Sequence, residues 1–194
     1  MEILKLTLLP VMELMIHPLK LMQTWLLKVS RLRHFIPISF VMEAFKDTSS
    51  LSWNIRGAHN SNAKRHLKDI IQKYNPTFLS ILETHTPFAR LSTFWNNIGY
   101  TPIHIIEATC HSRGIWLLKQ STSNITSYVL NTNHYSITFS LHRGDATITC
   151  TCVYASPNFT MRPNLWTYLT IISHNINNPW MLIGDFNETL IPSD

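Results

Sequence analysis

PWMLIGDFNETLIPSD (residues 179–194) closes the sequence. Trp180 to Ile183 is an apolar run of the kind that forms a strand buried within a sheet. It breaks at Gly184, where the missing Cβ lets the backbone turn. Asp185, Phe186, Asn187 and Glu188 then follow in quick succession. A carboxylate and a carboxamide at the end of a buried strand are either a turn or a polar site. The second reading gains weight only if other strands end in the same way.

Two others do. LSWN (51–54) reads as a short strand ending at Asn54, and TFLSILE (77–83) is almost wholly apolar until Glu83. Such a run is expected of a strand covered on both faces. Between them NAKRHLKDIIQKY (62–74) places Ala63, Leu67, Ile70, Ile71 and Tyr74 on one stripe, the pattern of an amphipathic helix that Asn75-Pro76 stops. Lys64, Arg65, Lys68 and Lys73 decorate its other sides, as a solvated face does. GIWLL (114–118) reads as a further buried strand. YSITFSLHRGDATITCTCVY (135–154) alternates on both sides of Gly144-Asp145, a hairpin with glycine first in its tight turn. RPNLWTYLTIISHN (162–175) is a second helix, with Pro163 suited to its first turn. Strand, helix, strand, several antiparallel strands, helix and strand together predict an α/β (α+β) layer structure.

Composition bounds the rest. The 194 residues hold 45% hydrophobic and 14% charged side chains with a formal charge of +5. That is enough apolar material for a core, and a charged fraction well below the roughly 25% usual for soluble domains. The basic excess permits a polyanionic partner without demanding one. Three cysteines argue against a disulfide framework or a disulfide-linked partner. Cys150 and Cys152 point to one face of a strand, Cys110 lies apart, and paired zinc-ligand spacing is missing. Residues 1–49 are Met- and Leu-rich, but Lys5, Glu13, Lys20 and Lys28 and prolines 10, 18 and 37 interrupt them. No run there approaches the 18 or so residues of a membrane helix, and Glu2 and Glu13 count against a transit peptide. We expect a poorly structured leader with one or two short helices at most, and a domain over residues 50–194.

If the strands ending at Asn54, Glu83 and Asp185 share a sheet rim, two carboxylates and nearby amides converge there. Such an oxygen-rich set suits Mg²⁺ or Mn²⁺ and phosphate oxygens better than zinc. Taken in order, LSWNIRGA, ILETH, RGIWLL, VYASP, RPNLWTYL and PWMLIGDFNE resemble the endonuclease/exonuclease/phosphatase superfamily, over residues 51–191. The likeness is greatest to the apurinic-type endonuclease domain of plant LINE (non-LTR) retrotransposons. It implies a four-layer α/β/β/α sandwich, Mg²⁺ (or Mn²⁺) as cofactor, DNA as partner, no membrane, and a nuclear or cytoplasmic setting. By motif, Glu83 is the principal metal ligand, and Asn54 helps place metal and phosphate. Tyr154 contacts phosphate, Asp185 orients or deprotonates the attacking water, and Asn187 steadies the transition state. Arg113 stands where relatives carry glycine. In the family the domain continues beyond this motif, adding strands to one sheet and ending in Ser-Asp-His. Ser193-Asp194 imitates two letters of that motif, and none of the ten histidines matches its third. The resemblance thus implies a truncated domain lacking its C-terminal strands and its catalytic competence. The alternatives are an active Mg²⁺-dependent phosphodiesterase, and a non-catalytic module that binds nucleic acid or protein.

Overall fold

Side chains alternate across a strand, so a strand that is apolar at every position must be covered twice. The strand Ile115–Gln120 shows what does the covering in a computed structural model describing residues 4–7, 43–108 and 114–187. Ile115 and Leu117 enter one core, Trp116 and Leu118 another, and all four are fully buried. On one side lies a second sheet; on the other lie helices.

In chain order the elements are β1 (Leu4–Thr7), β2 (Ser49–Asn54), α1 (Ser61–Tyr74), β3 (Phe78–Leu82), α2 (Ser92–Asn97), β4 (Tyr100–Ile106) and β5 (Ile115–Gln120). There follow β6 (Thr126–Asn133), β7 (Ser136–Arg143), β8 (Ala146–Tyr154), α3 (Arg162–Ser173) and β9 (Trp180–Asp185). The first sheet runs β1-β2-β3-β5-β4 and the second β6-β7-β8-β9. Each sheet contains one parallel pair joined through a helix: β2 and β3 through α1, β8 and β9 through α3. The remaining pairings are antiparallel.

Three apolar clusters separate the layers. Phe78, Leu82, Ile115, Phe139, Cys150, Cys152 and Ile183 fill the space between the sheets. Leu67, Ile70 and Ile71 of α1 and Trp95 of α2 pack on the outer face of the first sheet. Leu165 and Leu169 of α3 cover Val153 on the second. The result is the α/β sandwich expected from the sequence. Helix α1 is closed at both ends. The Asn60 Oδ1 accepts the Asn62 N–H at 2.9 Å, and Asn75, left-handed at φ 40°, donates its N–H to the Ile71 carbonyl at 2.7 Å. Such side-chain caps contribute about 1 kcal/mol.

The N-terminal side of the chain departs from the sequence reading. Leu4–Thr7 pairs antiparallel with β2 as an edge strand, where short helices at most were expected. Phe45 and Thr48 are buried. Arg143 holds this segment, with Nη1 donating to the Ala44 carbonyl at 2.8 Å and its guanidinium 5.8 Å from the Phe45 ring. The rest of the leader, Cys110, Arg113, Glu188 and Ser193-Asp194 lie outside the described residues. Among the described residues no helix is long and apolar enough to cross a membrane.

Cys150 and Cys152 are free, fully enclosed between the sheets, and burial pushes both thiols up from 9.0 to about 12. The thiolate is the nucleophile. In a Cys110→Ser chain, neither remaining thiol should therefore react with an aromatic disulfide reagent near neutral pH until denaturant is added; fast native-state labelling would contradict the packing. The folded state holds these protons longer than the unfolded one. Stability from this source is thus complete below about pH 9 and falls as pH rises toward 12.

Candidate functional site

In a parallel pair both strands deliver their C-terminal ends to the same rim, which is where open α/β sheets place ligands. Here two such pairs face one another. Asn54 ends β2 opposite Leu82 in the register, so Glu83 lies one residue further on the same rim. Tyr154 ends β8 directly beside Asp185, which ends β9.

The two sheets are joined at this rim by side chains. The Asn54 Nδ2 donates to Asp185 Oδ2 at 2.9 Å, and its Oδ1 accepts the Arg56 N–H at 3.2 Å. Asp185 Oδ1 accepts the Asn187 N–H at 2.9 Å. Asn187 Nδ2 donates to the Ala155 carbonyl at 2.7 Å, while the Ala155 N–H donates to the Asp185 carbonyl at 2.8 Å. The segments after β8 and β9 are thereby stitched together, and Phe186 between Asp185 and Asn187 stacks on Trp166 of α3 at 5.8 Å.

Glu83 is anchored by its backbone: its N–H donates to the Gly114 carbonyl at 3.0 Å, and its own carbonyl accepts the Gly57 N–H at 2.9 Å. Among the described residues its half-buried carboxylate meets only His85, Nε2 to Oε1 being 3.6 Å. Asp185 and Glu83 therefore differ. The first already accepts two protein donors, whereas the second has oxygen lone pairs to spare. Tyr154 is 3% exposed and packs in the inter-sheet core.

Backbone strain concentrates at the same place. Arg56, Glu83, His85 and Asn187 have φ of 48°, 58°, 54° and 50°; the only other described non-glycine residue with positive φ is the helix cap Asn75. Left-handed backbone costs a bulky residue about 1–3 kcal/mol and persists only where its surroundings enforce it. Arg56 and His85 were not foreseen as site residues. Their one sequence signal is position, each a polar residue two beyond a strand-end ligand candidate.

Gly184 is used otherwise than expected. The strand does not turn there but runs on to Asp185. With φ at 141°, a Cβ on Gly184 would lie 1.9 Å from the Val153 carbonyl oxygen, so glycine is required for close approach of β9 to β8. The left-handed reversal comes later, at Asn187.

Among the described residues no three His, Cys, Asp or Glu side chains cluster as a ready metal cage. A magnesium-type cation needs no such cage: it binds through one or two carboxylates, water and substrate phosphate. The donors that the rim offers, a carboxylate at Glu83 and a carboxamide oxygen at Asn54 one register position back, are oxygen-only and fit that class.

Two stacked mixed sheets between helices, with polar strand ends meeting at one rim, define an α/β sandwich. The chain belongs to the endonuclease/exonuclease/phosphatase family, whose model matches residues 51–194. Among solved structures, the endonuclease domain of TRAS1, a telomere-specific non-LTR retrotransposon, superposes with a TM-score of 0.53 at 11% identity, covering 72% of this chain and 59% of that one. A humanized D. rerio TDP2 gives 0.52 at 12%, covering 74% and 67%. The AP endonuclease LMAP from Leishmania major gives 0.52 at 13%, covering 70% and 54%. At these identities the likeness establishes the fold alone. The chain spans between about half and two-thirds of the length of these structures. Among curated proteins none matches the sequence.

Proposed function

We propose that the rim binds a nucleic-acid phosphodiester together with Mg²⁺ or Mn²⁺, and that the chain derives from a retrotransposon-type endonuclease of the plant LINE kind. The observation that carries this reading is the Asn54–Asp185–Asn187 hydrogen-bonded set bridging the two sheets. Glu83, assisted by Asn54, would hold the cation, which when bound supplies Lewis-acid stabilisation of charge on phosphate oxygens. Asp185, which accepts donors from Asn54 and Asn187, would align a water. The Asn187 carboxamide, pinned to Ala155 through one N–H, would offer its second N–H to charge developing on a phosphate oxygen. Tyr154 would serve as the phosphate contact from beneath the rim.

Hydrolysis by residues 1–194 should nonetheless be poor. The resemblance puts the family's Asp–His pair in a Ser-Asp-His motif, and among the described residues the single His–carboxylate contact is His85 with Glu83. Loss of one acid–base group costs about 10²–10⁴-fold. Supercoiled plasmid incubated with residues 1–194 in Mg²⁺ should thus be nicked no faster than with Asp185→Ala. Nicking that is clear in the wild type, abolished by EDTA, and lost in both Glu83→Ala and Asp185→Ala would favour the active-enzyme alternative. Nicking that survives EDTA or either substitution would remove the metal-phosphodiesterase reading. Salt-sensitive DNA binding without cleavage would leave a binding module.

A further inference from the structure

Phe159 is the most exposed large apolar side chain among the described residues, at 74%. It lies just past the rim, in the segment that leads from Tyr154 to α3. A loop so placed could fold its phenyl ring back onto the protein, but this one is fixed at every step. Ala155 is bonded through its N–H to Asp185 and through its carbonyl to Asn187, at 2.8 and 2.7 Å. Arg162 clamps the next two carbonyls, with Nε on Ser156 at 3.0 Å and Nη2 on Pro157 at 3.1 Å. The Asn158 Oδ1 then accepts from the Thr160 N–H and Oγ1 at 3.1 and 2.9 Å, capping the 3-10 turn Phe159–Met161. Met161, 39% exposed, widens the apolar patch. The ring is therefore presented to solvent on a rigid mount whose base is hydrogen-bonded to Asp185 and Asn187.

We infer that Phe159 is a stacking platform for an unpaired nucleobase flanking the phosphate bound at the rim. The inference rests on the nucleic-acid reading above and adds to it a sequence-tolerant contact to the base. Three observations favour a nucleobase as the occupant. The ring follows within five residues of Tyr154 at the rim, it is an aromatic face on a hydrogen-bonded backbone, and the chain carries a formal charge of +5 that attracts polyanions. Every base offers a π-face, so such a platform needs no particular sequence.

The test is the affinity of a short fluorescent single-stranded DNA, followed by anisotropy in Mg²⁺ across a salt series, with the oligonucleotide checked for integrity. Phe159→Ala should weaken binding ~5- to 100-fold, with an unchanged slope of log affinity against log salt, because no phosphate contact is lost. Phe159→Tyr should bind like the wild type. Both variants should melt like the wild type, since the ring packs on little. Unchanged affinity in Phe159→Ala, beside salt-sensitive binding by the wild type, would overturn the platform and leave the nucleic-acid reading standing. A changed salt slope would also overturn it. Absence of salt-sensitive binding by the wild type would remove the nucleic-acid reading, and the platform with it.

Discussion

Alanine at Gly184 should leave little or no cooperatively folded protein. The added Cβ would sit 1.9 Å from the Val153 carbonyl oxygen and 2.8 Å from its carbonyl carbon and nitrogen. All three are backbone atoms of a strand that is parallel-paired to Gly184 itself, so neither partner can yield without breaking the β8–β9 ladder. The φ of 141° adds a second obstacle for any L side chain. Overpacking of a core side chain typically costs 1–3 kcal/mol, and a clash with fixed backbone costs more. About 5–15 kcal/mol is the whole stability of an ordinary domain. Urea or thermal denaturation followed by circular dichroism checks the expectation. Gly144→Ala is the control: its φ is also positive, at 57°, but nothing lies within 4 Å, so it should cost only about 1 kcal/mol. A Gly184→Ala chain that melts like the wild type would show that β9 does not approach β8 as described.

The second large effect concerns the cation. Glu83→Gln should reduce Mn²⁺ affinity on the order of 100-fold or more, since substitutions merely behind a ligand already cost 10–100-fold. Asp185→Asn should cost less, because both Asp185 oxygens already accept protein donors while among the described residues the Glu83 carboxylate meets only His85. Calorimetric titration of each variant with Mn²⁺, without substrate, separates the two. The reverse order, with Asp185→Asn the more damaging, would exchange the two proposed roles.

Most of the layer order could be read in the sequence because the signals that carry it are strong and local. The stripe on α1, the two-sided apolarity of β3 and β5, and the Gly144-Asp145 turn are fixed by periods of 3.6 and 2. Two of the edge strands could not be read. β4 contains Pro102, and its pairing with β5 shifts register between Pro102 and His104, as an edge strand permits for a residue with no N–H to donate. β6 exposes Tyr128 and Leu130 along an edge, so no alternation marks it. At the site, the strand-end polar residues were legible one by one. Their mutual arrangement was not, because the bond between Asn54 and Asp185 depends on how two sheets dock. Nor was the left-handed backbone at Arg56 and His85, which is held by hydrogen bonds from Arg56 to Asn54, Gly57 to Glu83 and Ala58 to Thr84. Gly184 was noticed for the right reason, its missing Cβ, but the space it leaves is filled by Val153 rather than used for a turn.

The bond between Asn54 and Asp185 spans 131 residues of chain. Closing so long a loop is entropically unfavourable and is repaid only once the contacts it permits are made, which is why chains rich in distant contacts fold slowly. Asn54 belongs to the second described strand and Asp185 to the last, so neither sheet forming alone can assemble the rim. The rim is therefore a late event in the folding reaction. During ribosomal synthesis it cannot exist until nearly the whole described sequence has emerged. Whatever the rim binds will report on the completed docking of two sheets, and a nascent or partly unfolded chain will be silent to the same ligand.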